Sequence, residues 1–221
     1  MGSALGDTPD PVQVEFAPSQ LSVTQAQVLQ WIHTAQKAVT HYYGRYPVPS
    51  VKVRVEARSG RRGSASGTTY GDEDGAFIRM GIGAETPNDV LQADWVMTHE
   101  MVHLAFPRVR ENQHWAEEGQ ATYIEPIARA QIGDLSADYL WQETIEGMPK
   151  GLPEAGDEGL DNTSTWGRTY WGGALFYLLA DVQIRERTDN RYGLQDALAA
   201  VVAAGGNVEV SWPLDRAFAV A

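Results

Sequence analysis

Residues 99–103 read H-E-M-V-H, and residues 115–119 read W-A-E-E-G. Positions i and i+4 of a helix lie one turn apart on the same face, so the imidazoles of His99 and His103 can point at one metal ion. Two histidines and a carboxylate are a common ligand set for catalytic zinc. Glu100 lies next to His99 on that helix, where it can take a proton from water activated by the metal. The pattern therefore predicts a zinc site with a general base beside it.

H-E-x-x-H also has an alternative explanation, as two buried histidines on a core helix with a solvated glutamate between them. Average residue frequencies predict an accidental match in roughly one protein of this size in a hundred. Large apolar residues surround the motif and predict a buried helix: Trp95, Val96, Met97, Met101, Val102 and Leu104. Buried ionisable groups are costly unless they are paired or bind a metal, so the motif requires a partner.

Three downstream side chains are candidates for the third metal ligand: His114, Glu117 and Glu118. The longer pattern H-E-x-x-H-x-x-G-x-x-H, which is typical of metzincins, is absent because Phe106 and Val109 occupy its last two fixed positions. A glutamate on a following helix remains, and spacing alone does not choose between Glu117 and Glu118.

Residues 115–125 read W-A-E-E-G-Q-A-T-Y-I-E. They resemble the W-x-x-E-G-x-x-x-Y-x-E run of gluzincin zinc metallopeptidases, the peptidase-MA-like clan that includes aminopeptidase N and bacterial glycyl aminopeptidases. In that clan the glutamate of E-G is a zinc ligand, so the resemblance implies that Glu118 is the third ligand. Glu125 lies seven residues further along the same helical face, and we expect it to accept the second N–H of a ligand histidine and fix its tautomer.

Residues 170–175 read Y-W-G-G-A-L and resemble the Y-x-x-G-A-L segment of glycyl aminopeptidase-like proteins. The resemblance implies that Tyr170 donates a hydrogen bond to the oxyanion formed during peptide hydrolysis. The alternative is a core tyrosine whose hydroxyl is satisfied by the protein. Aminopeptidase N relatives also carry a G-x-M-E-N motif, whose glutamate holds the substrate amine, and residues 75–83 lack it. The sequence therefore leaves both aminopeptidase and endopeptidase action open.

The predicted fold is α+β and zincin-like, with a small mixed β-sheet lobe, a mainly helical lobe and an active-site cleft between them. We expect one domain over residues 11–221, divided into a sheet with the metal helix (11–107) and a helical part (108–221). Residues 1–10 are expected to be a disordered tail or a cloning remnant.

Three local features bear on the cleft. Residues 76–83 are predicted to form a strand, which is either the edge strand to which a peptide substrate adds or an ordinary strand of the sheet. Thr86 and Pro107 mark the two ends of one predicted helix. Residues 148–167 are rich in Gly, Pro and Asp, and we expect a long loop that is either a rim of the cleft or a plain connector.

The composition limits the partners of the protein. A net charge of −12 disfavours binding to nucleic acid or to an anionic membrane surface. The chain has no cysteine, which excludes disulfides and a cysteine nucleophile, and no apolar run is long enough for a transmembrane segment. These features do not determine the compartment or the oligomeric state, and an exported protein whose leader has been removed fits them.

The motifs together predict a metallopeptidase that binds one Zn²⁺ per chain and hydrolyses peptide or protein substrates, with Glu100 as general base. Two alternatives remain open from the sequence. One is a catalytically silent protein of zincin fold that binds peptides. The other is a zinc hydrolase that acts on a non-peptide substrate.

Overall fold

The first part of the chain carries the strands, and most of the helices follow. The structure is a computed structural model that describes residues 10–59, 65–163 and 165–221, so residues 1–9 of the tail expected at 1–10 lie outside the described residues. Its strands are β1 (Val12–Phe16), β2 (Val51–Arg58), β3 (Ala65–Asp72) and β4 (Gly75–Gly83). Its helices are α1 (Gln25–Tyr43), α2 (Asn88–Ala93), α3 (Val96–His103), α4 (His114–Gln131), α5 (Ala137–Gly147), α6 (Gly173–Arg187), α7 (Leu194–Ala203) and α8 (Leu214–Val220). The mixed α+β fold predicted from the sequence is confirmed.

The sheet has the strand order β1-β2-β4-β3, in which β1, β2 and β4 run parallel and β3 runs antiparallel to β4. Of the two alternatives for residues 76–83, the edge strand is therefore wrong and the ordinary sheet strand is confirmed, because β4 lies between β2 and β3. A tight turn at residues 73–74 folds β3 back along the outer side of β4. The Asp72 carboxylate accepts a hydrogen bond from the Asp74 N–H at 2.9 Å in this turn, and Gly75 follows with φ of 120°.

Helix α1 closes the core on the side of α3 and α4. It begins with a capping box in which Thr24 and Gln27 cap each other. It ends at Gly44, whose φ of 72° is the left-handed conformation that glycine adopts without strain. Its buried face contributes Val28, Trp31, Ile32, Ala35, Ala38, Val39, Tyr42 and Tyr43.

The predicted single helix from Thr86 to Phe106 is interrupted at Asp94, whose ψ of 134° is extended. The Asp94 carboxylate accepts hydrogen bonds from the backbone N–H of Val96 at 2.8 Å and of Ala65 at 3.1 Å. The Asp94 side chain thus takes a backbone N–H that would otherwise be available for a helical hydrogen bond. This competition explains the break in the helix. The result is a short helix α3 whose first turn is tied to the first residue of β3.

Helices α4 and α6 touch through two glycines. A Cβ on Gly173 would lie 2.7 Å from Gly119 Cα, and a Cβ on Gly119 would lie 2.8 Å from the Ala174 backbone nitrogen. Real side chains do not approach a backbone this closely, so only glycine permits the contact. Gly119 follows Glu118 directly and Gly173 lies three residues after Tyr170, so this contact sets the distance between two predicted site residues.

The segment between α5 and α6 is held as a folded loop rather than as a helix or strand. It contains short 3₁₀ turns at Met148–Gly151 and Leu160–Asn162. The Arg168 guanidinium joins the segment to the start of the Tyr170 turn, because it donates to the Asp157 carboxylate at 2.7 Å and to the Gly151 carbonyl. Within the described ranges, no helix combines the length and the apolar character that crossing a membrane requires.

We expect Gly173→Ala to destabilise the protein by about 1–3 kcal/mol, because the added methyl group forces α4 and α6 apart at a backbone contact. Chemical denaturation followed by circular dichroism measures this change. Leu179→Ala on the same helix is the control, because Leu179 is an exposed side chain. A Gly173→Ala protein as stable as the wild type would contradict the close helix contact.

Candidate functional site

The site is built around a carboxylate from α4 that faces two imidazoles from α3. His99 Nε2 lies 3.1 Å from Glu118 Oε2, and His103 Nε2 lies 3.6 Å from the same oxygen. One potential ligand atom from each of these three residues lies within 4.8 Å of the other two. Zinc bonds of about 2.1 Å at tetrahedral angles place neighbouring ligand atoms roughly 3.4 Å apart. The donor set and its spacing therefore fit one zinc ion.

His114 orients the third candidate ligand from the other side. Its Nε2 lies 3.0 Å from Glu118 Oε1, and its Nδ1 lies 3.0 Å from Glu117 Oε2. Hydrogen bonds with Glu117 and with Glu118 raise the pKa of His114 to about 10, so at neutral pH it is an imidazolium that donates to both carboxylates. Glu117 also accepts from the Val109 N–H at 3.2 Å. Of the two adjacent glutamates, Glu118 thus faces His99 and His103, while Glu117 faces His114 and Val109.

The charges of the three residues suit a cation. Burial raises the pKa of Glu118, but hydrogen bonds with His103, His114 and His99 outweigh burial and bring the pKa well below its usual range. Glu118 is therefore an anion at neutral pH. Burial lowers the pKa of His99, which favours the neutral imidazole that binds metal. Burial also acts to lower the pKa of His103, but its hydrogen bond with Glu118 reverses the shift, so a metal ion competes there with a proton.

Glu100 extends from α3 to the edge strand β3 and lines the same groove as His99, His103 and Glu118. The Thr69 hydroxyl lies 2.7 Å from Glu100 Oε2 and 2.8 Å from the Glu100 carbonyl oxygen, and it can donate to either. A Cβ on Gly67 would lie 2.7 Å from Glu100 Oε1, so a glycine makes room for the carboxylate. The sequence analysis did not identify Thr69 or Gly67, because each is about thirty residues from Glu100 and belongs to no local motif.

Tyr170 approaches the same site from the helical part of the chain. It lies in a π-helical turn, Arg168–Gly172, that leads into α6, and such turns are frequent at functional sites. Its ring lies nearly parallel to that of His99, with centroids 6.2 Å apart, and Trp166 stacks on it at 5.4 Å. Burial and the nearby Glu118 carboxylate raise the pKa of Tyr170, so the phenol keeps its proton at neutral pH and can donate a hydrogen bond.

Comparison with solved structures finds the same architecture in zinc peptidases. An M1 zinc metallopeptidase from Deinococcus radiodurans matches with a TM-score of 0.54 and 16% identity, over 90% of this chain and 42% of the other. An aminopeptidase N family protein from Idiomarina loihiensis matches with a TM-score of 0.56 and 13% identity, over 88% of this chain and 39% of the other. The chain has the fold of these metallopeptidases.

This likeness extends to the fold alone, because the sequence identities are low. The chain spans about two-fifths of the length of the two metallopeptidases. No protein-family model matches the sequence, and no curated protein matches it. Statements about the chemistry of the candidate site therefore rest on its own residues.

Glu125 has a different partner from the predicted one. Its Oε1 accepts a hydrogen bond from Arg129 Nη1 at 3.0 Å, and Arg129 Nε donates to Asp134 at 2.7 Å. In the described part of the chain, no hydrogen bond joins Glu125 to His99 or His103. Arg129 lies one helical turn further on and is within reach of Glu125, which explains the difference. Burial raises the pKa of Glu125 to about 8, and Arg129 offsets only part of that shift.

Two adjoining spaces lie beside the candidate metal ligands. A groove of about 640 Å³ runs along β3 residues 67–72 and past the histidine and glutamate cluster. A second cavity of about 540 Å³ lies among α4, α5 and α6. His99 and Tyr170 line both, so they form the wall between the groove and the cavity. Met148 and Trp166, from the two ends of the loop expected at residues 148–167, line the second cavity.

We expect the purified protein to contain about one zinc per chain, and Glu118→Ala or His103→Ala to lose most of it, because each variant removes one of three ligands. Elemental analysis after dialysis measures the content. His41→Ala is the control, since His41 is an exposed histidine on α1, distant from the cluster in sequence. Equal zinc content in Glu118→Ala and wild type would contradict the assigned ligand set.

Proposed function

We propose that the protein is a zinc-dependent peptidase in which His99, His103 and Glu118 hold one Zn²⁺ and Glu100 is the general base. The observation that supports this proposal most strongly is the arrangement around α3. The three candidate ligands face one point, and Glu100 lies between that point and an edge strand that lines a groove. A structural metal site requires neither a general base nor a groove.

Zinc held by these ligands would supply Lewis acidity that polarises the scissile carbonyl and acidifies water. Glu100 accepts a proton from the water that attacks the peptide carbonyl, and it later gives that proton to the leaving amine. Thr69 holds the Glu100 carboxylate in place through its hydroxyl. Tyr170 donates a hydrogen bond to the oxyanion. The raised pKa of its phenol keeps the proton on the oxygen at neutral pH.

The edge strand β3 is the surface on which an extended peptide would bind. It pairs with β4 on one side, and its other side faces the groove that contains Glu100 and the candidate ligands. A peptide strand can therefore add to β3 through main-chain hydrogen bonds, as in other cases of strand addition. This mode recognises the main chain of a peptide, and it supports a peptide rather than a non-peptide substrate.

We further propose that the substrate needs no free amino terminus. Residues 75–83 lack the glutamate with which aminopeptidase N relatives hold the substrate amine, and in this chain they form the internal strand β4. Acetylated peptides should therefore be cleaved. The rival function, a silent peptide-binding protein, predicts no chelator-sensitive cleavage of any peptide in a fluorogenic library.

We expect Glu100→Gln to keep its zinc and lose roughly a hundredfold to ten-thousandfold in kcat, because it removes the proton acceptor. Tyr170→Phe should lose about a hundredfold in kcat, because it removes one oxyanion donor. Hydrolysis of acetylated fluorogenic peptides, with and without a chelator, measures both changes. Tyr139→Phe and Glu154→Gln are the controls, since both side chains are exposed. Peptide hydrolysis at the wild-type rate in zinc-loaded Glu100→Gln would remove Glu100 from the mechanism.

A further inference from the structure

The second cavity lies directly beside the candidate reaction centre. It is bounded by α4 residues 122–127, by α5 and by α6, and it meets the groove at His99 and Tyr170. Its volume of about 540 Å³ falls within the range typical of pockets that hold small ligands. A group that enters it from the groove therefore passes His99, which is a candidate ligand, and Tyr170.

The lining of the cavity is unusually rich in tryptophan. Four of the seven tryptophans of the chain line it: Trp95, Trp141, Trp166 and Trp171. Three of them leave large surfaces to solvent, with 48% of Trp95, 57% of Trp141 and 60% of Trp166 exposed. Exposed apolar groups gathered at one opening mark a binding surface, because leaving them in water is unfavourable.

The fourth tryptophan is fixed in the wall by local packing. The Trp171 indole lies against Gly147, where any Cβ would overlap the ring. The Lys150 ammonium lies over the Trp171 ring, 5.6 Å from its centroid. Between these aromatic groups, aliphatic side chains complete the lining: Ile127, Leu140, Met148, Leu178 and Val182.

The charged groups of the cavity are mostly compensated by the protein. Asp181 accepts from the Tyr123 hydroxyl at 2.9 Å and lies 3.0 Å from the Arg185 guanidinium. Glu125 is bonded to Arg129, and Glu143 is a further half-buried acid. These acids disfavour a substrate carboxylate, and Arg185, the basic residue that lines the cavity, is already paired with Asp181.

We propose that this cavity is the specificity pocket of the enzyme and takes a large aromatic side chain, Trp or Phe, of the peptide residue next to the scissile bond. This inference rests on the proposed function, since it names the substrate class of the same site. An aromatic ring fits because indole faces and edges offer stacked or edge-to-face contacts in addition to apolar burial. An aliphatic side chain makes only the burial contribution.

The first test compares acetylated fluorogenic peptides that differ only at one residue, which is Trp, Phe, Leu, Ala, Lys or Glu. We expect kcat/KM for Trp and Phe to exceed that for Ala by about tenfold to a hundredfold, as burial of an aromatic side chain provides. Glu should be the poorest substrate. Equal rates for Phe and Ala, or a preference for Lys, would overturn the proposal.

A variant that fills the cavity tests the location. Thr144 lies on α5 and lines the cavity, so Thr144→Trp should bring the Phe-to-Ala ratio of kcat/KM close to one. The ratio is taken within one preparation, so partial misfolding cancels. Ile145→Trp is the matched control. Ile145 is the next residue of the same helix, is 70% exposed and does not line the cavity. An unchanged ratio in Thr144→Trp would place the aromatic preference elsewhere.

A binding experiment separates this proposal from the proposed function. Calorimetry with N-acetyl-L-tryptophanamide should show binding to the wild type and at least tenfold weaker binding to Thr144→Trp, with N-acetyl-L-alaninamide as the negative control. If no peptide is hydrolysed but the probe binds in this pattern, the peptidase assignment fails and the aromatic pocket stands. If peptides are hydrolysed without preference and the probe does not bind, the pocket fails and the peptidase assignment stands.

Discussion

A buried carboxylate held against two imidazoles is the interaction on which the rest of this structure depends. Glu118 is only 8% exposed, and His99 and His114 contact its two oxygens from opposite sides. A buried charge of this kind is unfavourable without partners, so its partners fix the mutual position of α3 and α4. The glycine contact between α4 and α6 then brings Tyr170 to the same point. The candidate site is thus a junction of three helices rather than a feature of one.

The edge strand connects this junction to a substrate. Asp94 ties the beginning of α3 to the beginning of β3, and Thr69 ties Glu100 to the middle of that strand. The proposed base is therefore fixed to the same strand on which a peptide would lie. In the function we propose, the groove brings an extended main chain to the metal, and the tryptophan-lined cavity beside His99 distinguishes side chains.

Local spacing explains what the sequence predicts correctly. The strand at residues 76–83 and the mixed α+β class follow from patterns within short windows. The juxtaposition of His99 and His103 follows from one helical turn. The edge position of β3 depends on pairing between segments that no local pattern joins. The break at Asp94 and the pair of Glu125 with Arg129 instead arise from nearby side-chain contacts, which neither apolar periodicity nor the motif resemblance takes into account. Helix α4 also continues through Pro126, where a proline predicts an interruption.

X-ray absorption at the zinc edge of the purified protein tests the central claim most directly, because it reports the atoms bound to the metal. The account predicts a spectrum fitted by two imidazole nitrogens and oxygen ligands at about 2.0–2.1 Å. In Glu118→Ala that has been reloaded with zinc, the oxygen contribution should change while both imidazoles remain. A spectrum of the wild type with fewer than two imidazoles, or one unaffected by Glu118→Ala, would contradict it.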